Sequence, residues 1–451
     1  MTRHFDRRSF VRASAAAGLS LWLPESRRAS ARGYPANQKL DIAVIGVGGK
    51  GHSDTLGVAS ENIVALCDVD ARRGAATFRK FPNAKVYEDY RVLFDRERKL
   101  DAVVIATPDH SHAPPAVRAI QRGLHVYCQK PLTHTVEEAR LLRELASKHR
   151  VATSMGNHGT AYDGFREAVE VVRSGAIGAV REVHVWTDRP GGWWKQGIDR
   201  PATIEPIPAT LRFDLFLGPA PYRPYHSGYT PFAWRGFWDF GTGALGDMGC
   251  HLLNLPYMAL SLGVPESVAA ESEGATAESP PKWSKVVYRF PARGALPPVV
   301  LTWYDGGKRP PTELVPGVAK LRAGGAILVG DKGVLYSPHD YGAVYKLLPE
   351  ERYADFRPPT QTLPRGPGSV QGAKIYLEWL AHCKGGAPCM ANFDYAGPLT
   401  ETVLLGNVAL RSGQTVRFDA AKLRATGSVA ADRLLRKDYR WGFEARRGRR
   451  V

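Results

Sequence analysis

Cysteine is scarce in this sequence of 451 residues, which contains five cysteines and no CxxC pair. The five stand at Cys67, Cys128, Cys250, Cys383 and Cys389. Their spacing excludes a zinc ribbon and a thioredoxin-like redox motif. Cys383 and Cys389 are close enough in sequence to form a disulfide in an oxidising compartment, and the sequence alone leaves that question open.

Long apolar runs are also absent, because no segment approaches the roughly 20 apolar residues that a membrane-spanning helix needs. The short apolar stretch Ala13–Leu23 follows the pair Arg7-Arg8 and precedes Ala29-Ser30-Ala31. Twin arginines, a short apolar region and a small-residue cleavage site are typical of a Tat export signal. We therefore expect residues 1–31 to be a Tat-type signal peptide and the mature protein to be periplasmic or otherwise exported. A basic amphipathic tail or a retained membrane anchor is the alternative.

Acidic residues are outnumbered, with 44 Asp and Glu against 61 Lys and Arg, and the formal net charge is +17. Residues 1–31 and 440–451 each carry a large share of that excess. The other basic residues are dispersed and accompany no nucleic-acid-binding motif, so specific nucleic-acid binding is not expected. A basic surface that faces an anionic cofactor or an acidic glycan explains the charge more simply. We treat residues 441–451 as a basic tail.

The remaining chain is long enough for two domains of ordinary size, and its first part carries a nucleotide-binding pattern. The apolar run Asp41–Ile45 leads directly into a G-x-G-x-x-G turn at Gly46, Gly48 and Gly51. The first glycine allows a tight turn, the second lets a pyrophosphate approach the backbone, and the third lets the following helix pack closely. The free N–H groups of that helix would face the phosphates.

A second apolar run, Ile63–Cys67, ends at Asp68, twenty-two residues after Gly46. An acidic residue at this distance can accept hydrogen bonds from the adenosine ribose and repels a 2′-phosphate. We therefore expect NAD rather than NADP, although Arg72 and Arg73 follow closely and leave NADP possible. Strand-like and helix-like runs then alternate to Met155, which predicts a doubly wound parallel sheet, a Rossmann domain over residues 39–156.

Two further motifs lie where strands of this sheet are expected to end. Thr107-Pro108-Asp109-His110-Ser111-His112 follows one strand, Gln129-Lys130-Pro131-Leu132 follows the next, and a later segment runs from Trp234 to His251. Together with the glycine turn, these motifs resemble those of the Gfo/Idh/MocA family of oxidoreductases, over about residues 39 to 440. The resemblance implies a C-terminal α/β domain, residues 157–440, with a large, mostly antiparallel sheet that is open on one face. Six later runs that resemble strands agree with this, and we expect two helices, at Gln371–His382 and Leu399–Arg411.

The resemblance also implies the catalytic groups. Lys130 occupies the position of the family's lysine beside the nicotinamide, where an ammonium can favour the alkoxide character of a reacting hydroxyl. Asp247 and His251 would lie one helical turn apart, with His251 as general base and acid and Asp247 assisting. A metal pair or a helix cap are the alternatives for these two residues, but no third ligand is spaced convincingly, so no metal is expected.

Further family positions are expected beside the cofactor, namely Thr107, Pro108, His110, His112 and Gln129. The two histidines could instead be a metal pair. This sequence departs from the family at Gln129, where glutamate is usual, and at Asn254, where aspartate is frequent. The first change removes a charge near the cofactor, and the second puts a substrate contact or an orienting bond in doubt rather than the hydride chemistry.

Residues 187–240 are rich in Pro, Gly and Trp and are expected to form an insertion over the active site. We expect Arg189, Trp193, Trp194 and Trp234 to contact substrate, because flat aromatic faces beside polar groups suit a sugar or cyclitol. The alternative is that some of these aromatic side chains fill the core.

The leading interpretation is an NAD(P)-dependent oxidoreductase acting on the CH–OH group of a sugar, cyclitol or sugar derivative. An NAD-dependent glycoside hydrolase that acts by transient oxidation, and a non-catalytic NAD-binding protein, are the alternatives. Since free NAD is scarce outside the cytoplasm, an exported enzyme is expected to keep its cofactor tightly bound. The open sheet face suggests that subunits pair into a homo-oligomer.

Overall fold

The computed structural model describes residues 38–445. The predicted export signal and most of the predicted basic tail lie outside the described residues. Within residues 38–445, no helix has both the length and the apolar character that a bilayer crossing requires.

The first half of the described chain forms a six-stranded parallel sheet in the order β3-β2-β1-β4-β5-β6. Its strands are β1 Asp41–Ile45, β2 Asn62–Cys67, β3 Lys85–Tyr87, β4 Ala102–Ile105, β5 His125–Cys128 and β6 Thr153–Met155. β1 and β4, at the centre, are almost wholly buried on both faces, which explains their continuous apolar runs. The expected Rossmann sheet is confirmed.

Five helices connect these strands: α1 Lys50–Gly57, α2 Ala71–Lys80, α3 Tyr90–Arg96, α4 Ala113–Gln121 and α5 Val136–His149. Several begin at side chains that accept hydrogen bonds from free N–H groups. The Asp70 side chain accepts from the Arg72 amide at the start of α2, and Thr135 and Glu138 form a capping box at the start of α5. These caps fix where each helix leaves the carboxyl edge of the sheet.

The second half contains a nine-stranded sheet in the order β13-β12-β11-β7-β10-β9-β8-β14-β15. Its strands are β7 Val180–Trp186, β8 Ser267–Glu273, β9 Trp283–Phe290, β10 Val299–Tyr304, β11 Gly325–Gly330, β12 Val334–Ser337, β13 Lys346–Leu348, β14 Val416–Asp419 and β15 Arg424–Thr426. β7 and β10 pair in parallel, whereas the other neighbours are antiparallel. The large, mostly antiparallel sheet is therefore confirmed.

One face of this sheet packs on the protein interior, and the other is only partly open. Trp186, Tyr304 and Ile327 on the outer face are covered by the chain's own segment 312–321, which supplies Leu314 and Val315 among others. Farther along the sheet the outer face carries the half-buried Ala269, Val287 and Val300. The part of the outer face that segment 312–321 leaves uncovered thus lies beyond Tyr304, toward β9 and β8.

The helices of the second half are α6 Asp163–Arg173, α7 Phe213–Leu217, α8 Gly243–Leu252, α9 Asn254–Ala259, α10 Gln371–Cys383, α11 Phe393–Ser412 and α12 Val429–Leu434. α11 begins six residues before the predicted Leu399, because packing against α5 keeps Pro398 inside the helix. α10 crosses to the first sheet, where its Tyr376 and Trp379 pack with Ile42, Val44 and Tyr127.

All five cysteines are buried free thiols, so Cys383 and Cys389 are not bridged in this structure. Burial raises the pKa of both thiols. Neither is therefore primed as a thiolate nucleophile.

Candidate active site

A cavity of about 690 Å3 lies at the carboxyl edge of the first sheet. The turns after β1, β2, β4 and β5 form one wall, and α8 with parts of the 187–240 insertion forms the other. Tyr341 and Phe443 complete the lining from distant parts of the chain. A crevice at this edge is where doubly wound sheets bind their ligands.

The glycine turn forms the floor of the cavity and has no room for side chains. Gly46 has φ +79°, and a Cβ there would lie 2.7 Å from the carbonyl oxygen of Ala106. A Cβ on Gly51 would lie 1.8 Å from the Gly46 oxygen, so this glycine lets α1 pack against the strand end. Gly46 and Gly48 line the cavity, whereas Gly51 lies behind them. The turn therefore fits the close approach of a pyrophosphate that the sequence predicts.

Asp68 lines the same end of the cavity and holds the glycine turn in place. One of its carboxylate oxygens accepts from the backbone N–H groups of Val47 at 2.8 Å and Gly48 at 3.1 Å. The other accepts from the Asp70 amide at 3.0 Å. Burial raises the pKa of Asp68, and these amide bonds oppose that rise. Arg73 also faces this end of the cavity.

Lys130 and Asp247 meet on the opposite side of the cavity. The Lys130 Nζ donates to Asp247 Oδ1 at 2.7 Å and to the Asp247 carbonyl oxygen at 2.8 Å. The Arg235 Nε lies 3.4 Å from the same carboxylate oxygen. Burial disfavours the charged carboxylate, but these two cations outweigh burial and lower the pKa of Asp247 well below its usual range. Asp247 is therefore a fixed anion that positions the Lys130 ammonium.

His251 follows Asp247 by one turn of α8 and is held by Asn157. The Asn157 side-chain amide donates from Nδ2 to the Cys250 carbonyl oxygen at 2.6 Å, which leaves its Oδ1 to face His251 Nδ1 at 2.6 Å. Because an amide oxygen can only accept, Nδ1 carries the proton and Nε2 carries the lone pair. Burial and then the Lys130 charge hold the pKa of His251 well below its ordinary value. The imidazole is thus a neutral base with Nε2 available.

Replacing Asn157 with aspartate tests this arrangement. A carboxylate against Nδ1 stabilises the imidazolium, so the lowered pKa of His251 rises. Since only the neutral imidazole can act as base, the acidic limb of the kcat/KM profile for hydroxyl oxidation moves to higher pH in Asn157→Asp. Asn157→Leu, which removes the acceptor without adding charge, should lose activity without that shift. An acidic limb at the same pH in Asn157→Asp and the wild type would refute the role of Asn157.

Gln129 lies in the cavity wall and replaces the family's usual glutamate, but a carboxylate is present beside it. Its Nε2 donates to both oxygens of the buried Asp54, at 3.0 and 2.9 Å. Asp54 also accepts from Lys50 Nζ at 2.7 Å and from the Tyr376 hydroxyl at 2.6 Å. A glutamate at position 129 would repel Asp54, so the amide suits this site. The negative charge absent from residue 129 is supplied from α1.

His110 and His112 correct a prediction, because neither lines the cavity. The ring nitrogens of His110 lie 3.0 and 3.2 Å from the carbonyl oxygens of Phe216 and Phe240, and burial lowers its pKa to about 3. The ring nitrogens of His112 lie near the carbonyl oxygens of Pro131 and Thr107. These contacts position the loop rather than a nucleotide. Thr107 and Pro108 do line the cavity, and the Thr107 hydroxyl is buried without a hydrogen-bond partner among residues 38–445.

The insertion brings the four predicted substrate residues to the cavity wall: Arg189, Trp193, Trp194 and Trp234. Trp193 is 53% exposed, whereas Trp194 and Trp234 are nearly buried. The Arg235 guanidinium carbon lies 4.2 Å from the ring centre of Trp234. These side chains combine flat apolar faces with positive charge.

Sequence reasoning missed three cavity residues, His158, Arg235 and Tyr341, and also Asn157, which is buried behind the cavity wall and bonds to His251. Arg235 stands inside the recognised Trp234–His251 segment, so the motif itself could have indicated it. The other three follow from no local pattern. Asn254 was expected to affect a substrate contact or an orienting bond. It does not line the cavity, and it is fully buried where it bonds to Thr160 and Tyr395.

No group of three or more His, Cys, Asp or Glu side chains within residues 38–445 is arranged to hold a metal ion. Asp247 is instead paired with Lys130 and Arg235, as expected for a carboxylate that stabilises neighbouring positive charges.

Both halves of the chain match domain models of one protein family. Residues 40–157 match the oxidoreductase family Gfo/Idh/MocA, NAD-binding Rossmann fold, and residues 164–297 match the C-terminal α/β domain of that family. An inositol 2-dehydrogenase from Rubrobacter xylanophilus is 33% identical over 148 residues, 32% of this chain and 42% of that protein. An oxidoreductase from Schizosaccharomyces pombe is 27% identical over 238 residues, 51% of this chain and 54% of that protein. The chain thus spans about half the length of these curated relatives, or less.

Solved structures show the same fold at low identity. An aldose-aldose oxidoreductase from Caulobacter crescentus aligns with a TM-score of 0.56 and 17% identity, over 84% of this chain and 100% of that one. The WlbA dehydrogenase from Bordetella pertussis, in complex with NADH and UDP-GlcNAcA, aligns with a TM-score of 0.59 and 16% identity, over 85% and 99%. At these identities the likeness concerns the fold alone.

Proposed function

The chain belongs to the Gfo/Idh/MocA oxidoreductase family, and on that premise we propose that it transfers a hydride between NAD(H) and the CH–OH carbon of a sugar, cyclitol or sugar derivative. The observation that carries the proposal is one cavity with a glycine turn and Asp68 at one end and Lys130, Asp247 and His251 at the other. The inositol 2-dehydrogenase relatives support a polyol substrate.

The chain's own residues supply the proton chemistry. When bound, the nicotinamide supplies the acceptor or donor of the hydride. His251 takes the hydroxyl proton on Nε2, since Asn157 holds the other nitrogen. Lys130 donates a hydrogen bond to the developing alkoxide, and Asp247 keeps its ammonium aimed at that oxygen. In the reverse direction His251 returns the proton.

To test this proposal, purified protein is incubated with NAD and a panel of sugars and cyclitols, and nicotinamide absorbance is the readout. A substrate-dependent absorbance change that is lost in Lys130→Met supports it. Absence of any change across the panel, with NAD bound, would contradict hydride transfer.

We propose NAD as the preferred dinucleotide, and Asp68→Ala tests it. Removing the carboxylate removes both the ribose acceptor and the charge that repels a 2′-phosphate. The loss of the hydrogen bonds from Val47 and Gly48, which hold the glycine turn in place, also weakens the binding of both dinucleotides. We expect the ratio of NADP to NAD dissociation constants to fall by about tenfold, or ~1.4 kcal/mol. Asp95→Ala, at an exposed position, is the matched control. An unchanged ratio means that another residue discriminates.

We also propose that the protein is exported through the Arg7-Arg8 signal. We further propose that it keeps its cofactor tightly bound, and that a second substrate returns the cofactor to its starting redox state. The signal stands on sequence alone. Fractionation of cells that express the full chain, compared with the doubly substituted Arg7→Lys and Arg8→Lys chain, tests export. Equal export of the two chains would contradict a Tat signal.

The C-terminal segment 435–445 supports cofactor retention because it places Phe443 in the wall of the cavity. Lys437 Nζ donates to the His110 carbonyl oxygen at 2.8 Å, and Arg440 Nε donates to that of Gly218 at 2.8 Å. Phe443 is 5% exposed and lines the cavity near Tyr90, at the end that holds Asp68. The Arg91 guanidinium carbon lies 4.1 Å from the Phe443 ring centre.

Phe443→Ala should speed the release of NADH by about tenfold, because it removes an aromatic side chain from the cavity wall. Rapid dilution of loaded protein with nicotinamide fluorescence as the signal measures the rate. Trp441→Ala is the matched control, since this neighbouring aromatic side chain is 89% exposed. Equal release rates in the two variants would contradict the role of the segment.

For assembly, we propose that copies of the chain pair through the outer face of the second sheet. The half-buried Ala269, Val287 and Val300 lie side by side there, on neighbouring strands. Light scattering of Val287→Glu against the wild type tests this, and an unchanged mass would contradict it.

A further inference from the structure

The geometry points to an anion-binding subsite at Arg189, and we propose that the substrate is an acidic sugar whose carboxylate binds this guanidinium. This inference rests on the proposed function, because it assigns a ligand group to the same cavity. Arg189 stands in the loop that follows β7 and lines the cavity together with Lys130 and His251.

The Arg189 guanidinium lacks partners for its inner donors. Its Nε and Nη1 atoms are buried and form no hydrogen bond with any of residues 38–445. Asp188 and Asp340 lie in the same region, but neither accepts from these two atoms. Buried charged donors without partners are costly, and in a ligand cavity they indicate that the ligand brings the acceptor.

Trp193 fixes the plane of this guanidinium. The Arg189 guanidinium carbon lies 3.4 Å from the Trp193 ring centre, so the two flat groups are stacked. Stacking covers a face of the guanidinium and leaves its N–H groups to a ligand in the guanidinium plane. A carboxylate carries a full negative charge and two oxygens in one plane, so it suits a guanidinium whose N–H groups lie in the plane that stacking leaves uncovered. A neutral hydroxyl supplies neither the charge nor the second acceptor.

The other cations of the cavity favour a carboxylate over a phosphate. Lys130 and Arg235 already face Asp247, and Lys50 already pairs with Asp54. Arg73 lies at the other end of the cavity, beside Asp68. At the substrate end Arg189 therefore stands apart as a cation whose inner donors are unused, which suits a single negative charge better than the two charges of a phosphate monoester.

The subsite lies close to the catalytic groups. The Tyr341 ring lies 4.6 Å from the His251 ring, edge to face. Burial raises the pKa of Tyr341, whereas the nearby Arg189 charge acts in the opposite direction. Tyr341 thus lies near both His251 and Arg189, and a sugar ring between them would present a hydroxyl to the base and its acid group to the guanidinium.

The test compares D-glucuronate and D-galacturonate with D-glucose, D-galactose and D-glucose 6-phosphate on NAD-loaded protein. Binding by titration calorimetry and turnover by nicotinamide absorbance are measured in parallel. The variants are Arg189→Gln, which removes the charge, Arg189→Lys, which keeps the charge without the fork, and Lys195→Gln as an exposed control in the same insertion. We expect at least one uronate to bind about tenfold or more tightly than its neutral parent. That preference should be lost in Arg189→Gln, reduced in Arg189→Lys and kept in Lys195→Gln.

Equal binding of acidic and neutral sugars, a preference for the phosphate, or a preference that survives in Arg189→Gln would each overturn the inference. The two proposals fail separately. A uronate that binds through Arg189 without being oxidised or reduced supports the subsite and contradicts hydride transfer. Turnover of neutral sugars with no preference for acidic sugars supports hydride transfer and contradicts the subsite.

Discussion

Lys130→Met is expected to lower kcat by roughly 10²–10⁴-fold while NAD binds with nearly unchanged affinity. The Lys130 ammonium is 16% exposed and bonds to Asp247 at 2.7 Å, so it is a fixed charge at the reacting end of the cavity. Methionine keeps the apolar stem but cannot donate to an alkoxide. Because the glycine turn and Asp68 lie at the other end, dinucleotide contacts remain in place. Steady-state rates and an NAD titration of the same preparation measure both effects.

Lys422→Met is the matched control for Lys130→Met, because Lys422 is 75% exposed on the second half of the chain. It should turn over like the wild type. Two results would remove Lys130 from the mechanism: a variant with more than about a tenth of wild-type kcat, or a loss of activity explained entirely by lost NAD binding.

His251→Ala is expected to lower kcat by a similar factor, roughly 10²–10⁴-fold. The mechanism assigns the proton transfer to Nε2, and alanine leaves no group to accept the proton. Hydroxide from solution can replace the base, so the residual rate of hydroxyl oxidation should rise steadily with pH. The wild type, whose His251 has a pKa held low by burial and by Lys130, should instead be independent of this base near neutral pH.

His149→Ala serves as the control for His251→Ala, because His149 ends α5 and does not line the cavity. Added imidazole should partly restore His251→Ala, since it can occupy the space of the lost side chain. A residual rate of the variant that does not change with pH, together with no rescue by imidazole, would assign the proton transfer to another group.

The parts of the fold that sequence predicts best are those whose signal is local. β1 and β4 are buried on both faces, and their apolar runs read as parallel strands without any tertiary information. β3, at the edge of the sheet, was missed because Lys85 and Val86 are exposed and give no apolar pattern. α11 was predicted too short because a proline usually marks a helix boundary. Here Pro398 lies inside the helix, and packing on α5 outweighs the backbone hydrogen bond that proline cannot donate.

The candidate site follows the same division. Gly46, Gly48 and Gly51 could be predicted because the turn itself requires residues without side chains at these positions. Lys130, Asp247 and His251 came from motifs, and the structure places all three along one cavity. Asn157 could not be found, since its role depends on meeting a side chain 94 positions away. His110 and His112 were misassigned because sequence shows that a loop is near a ligand and not which side chains turn away from it.

The crossing of α10 onto the first sheet has a consequence for synthesis of the chain. Ile42, Val44 and Tyr127 lie on a sheet face that Tyr376 and Trp379 cover, so this face has no complete cover until residue 383 has left the ribosome. At about 5–20 residues per second, the roughly 230 residues that separate β6 from the end of α10 take on the order of 10–50 s to translate. During that interval the nascent Rossmann half presents an apolar surface on which chaperones or neighbouring nascent chains can bind. A ribosome-bound chain stalled after residue 160 should therefore bind a hydrophobic dye, and one stalled well past residue 383 should not.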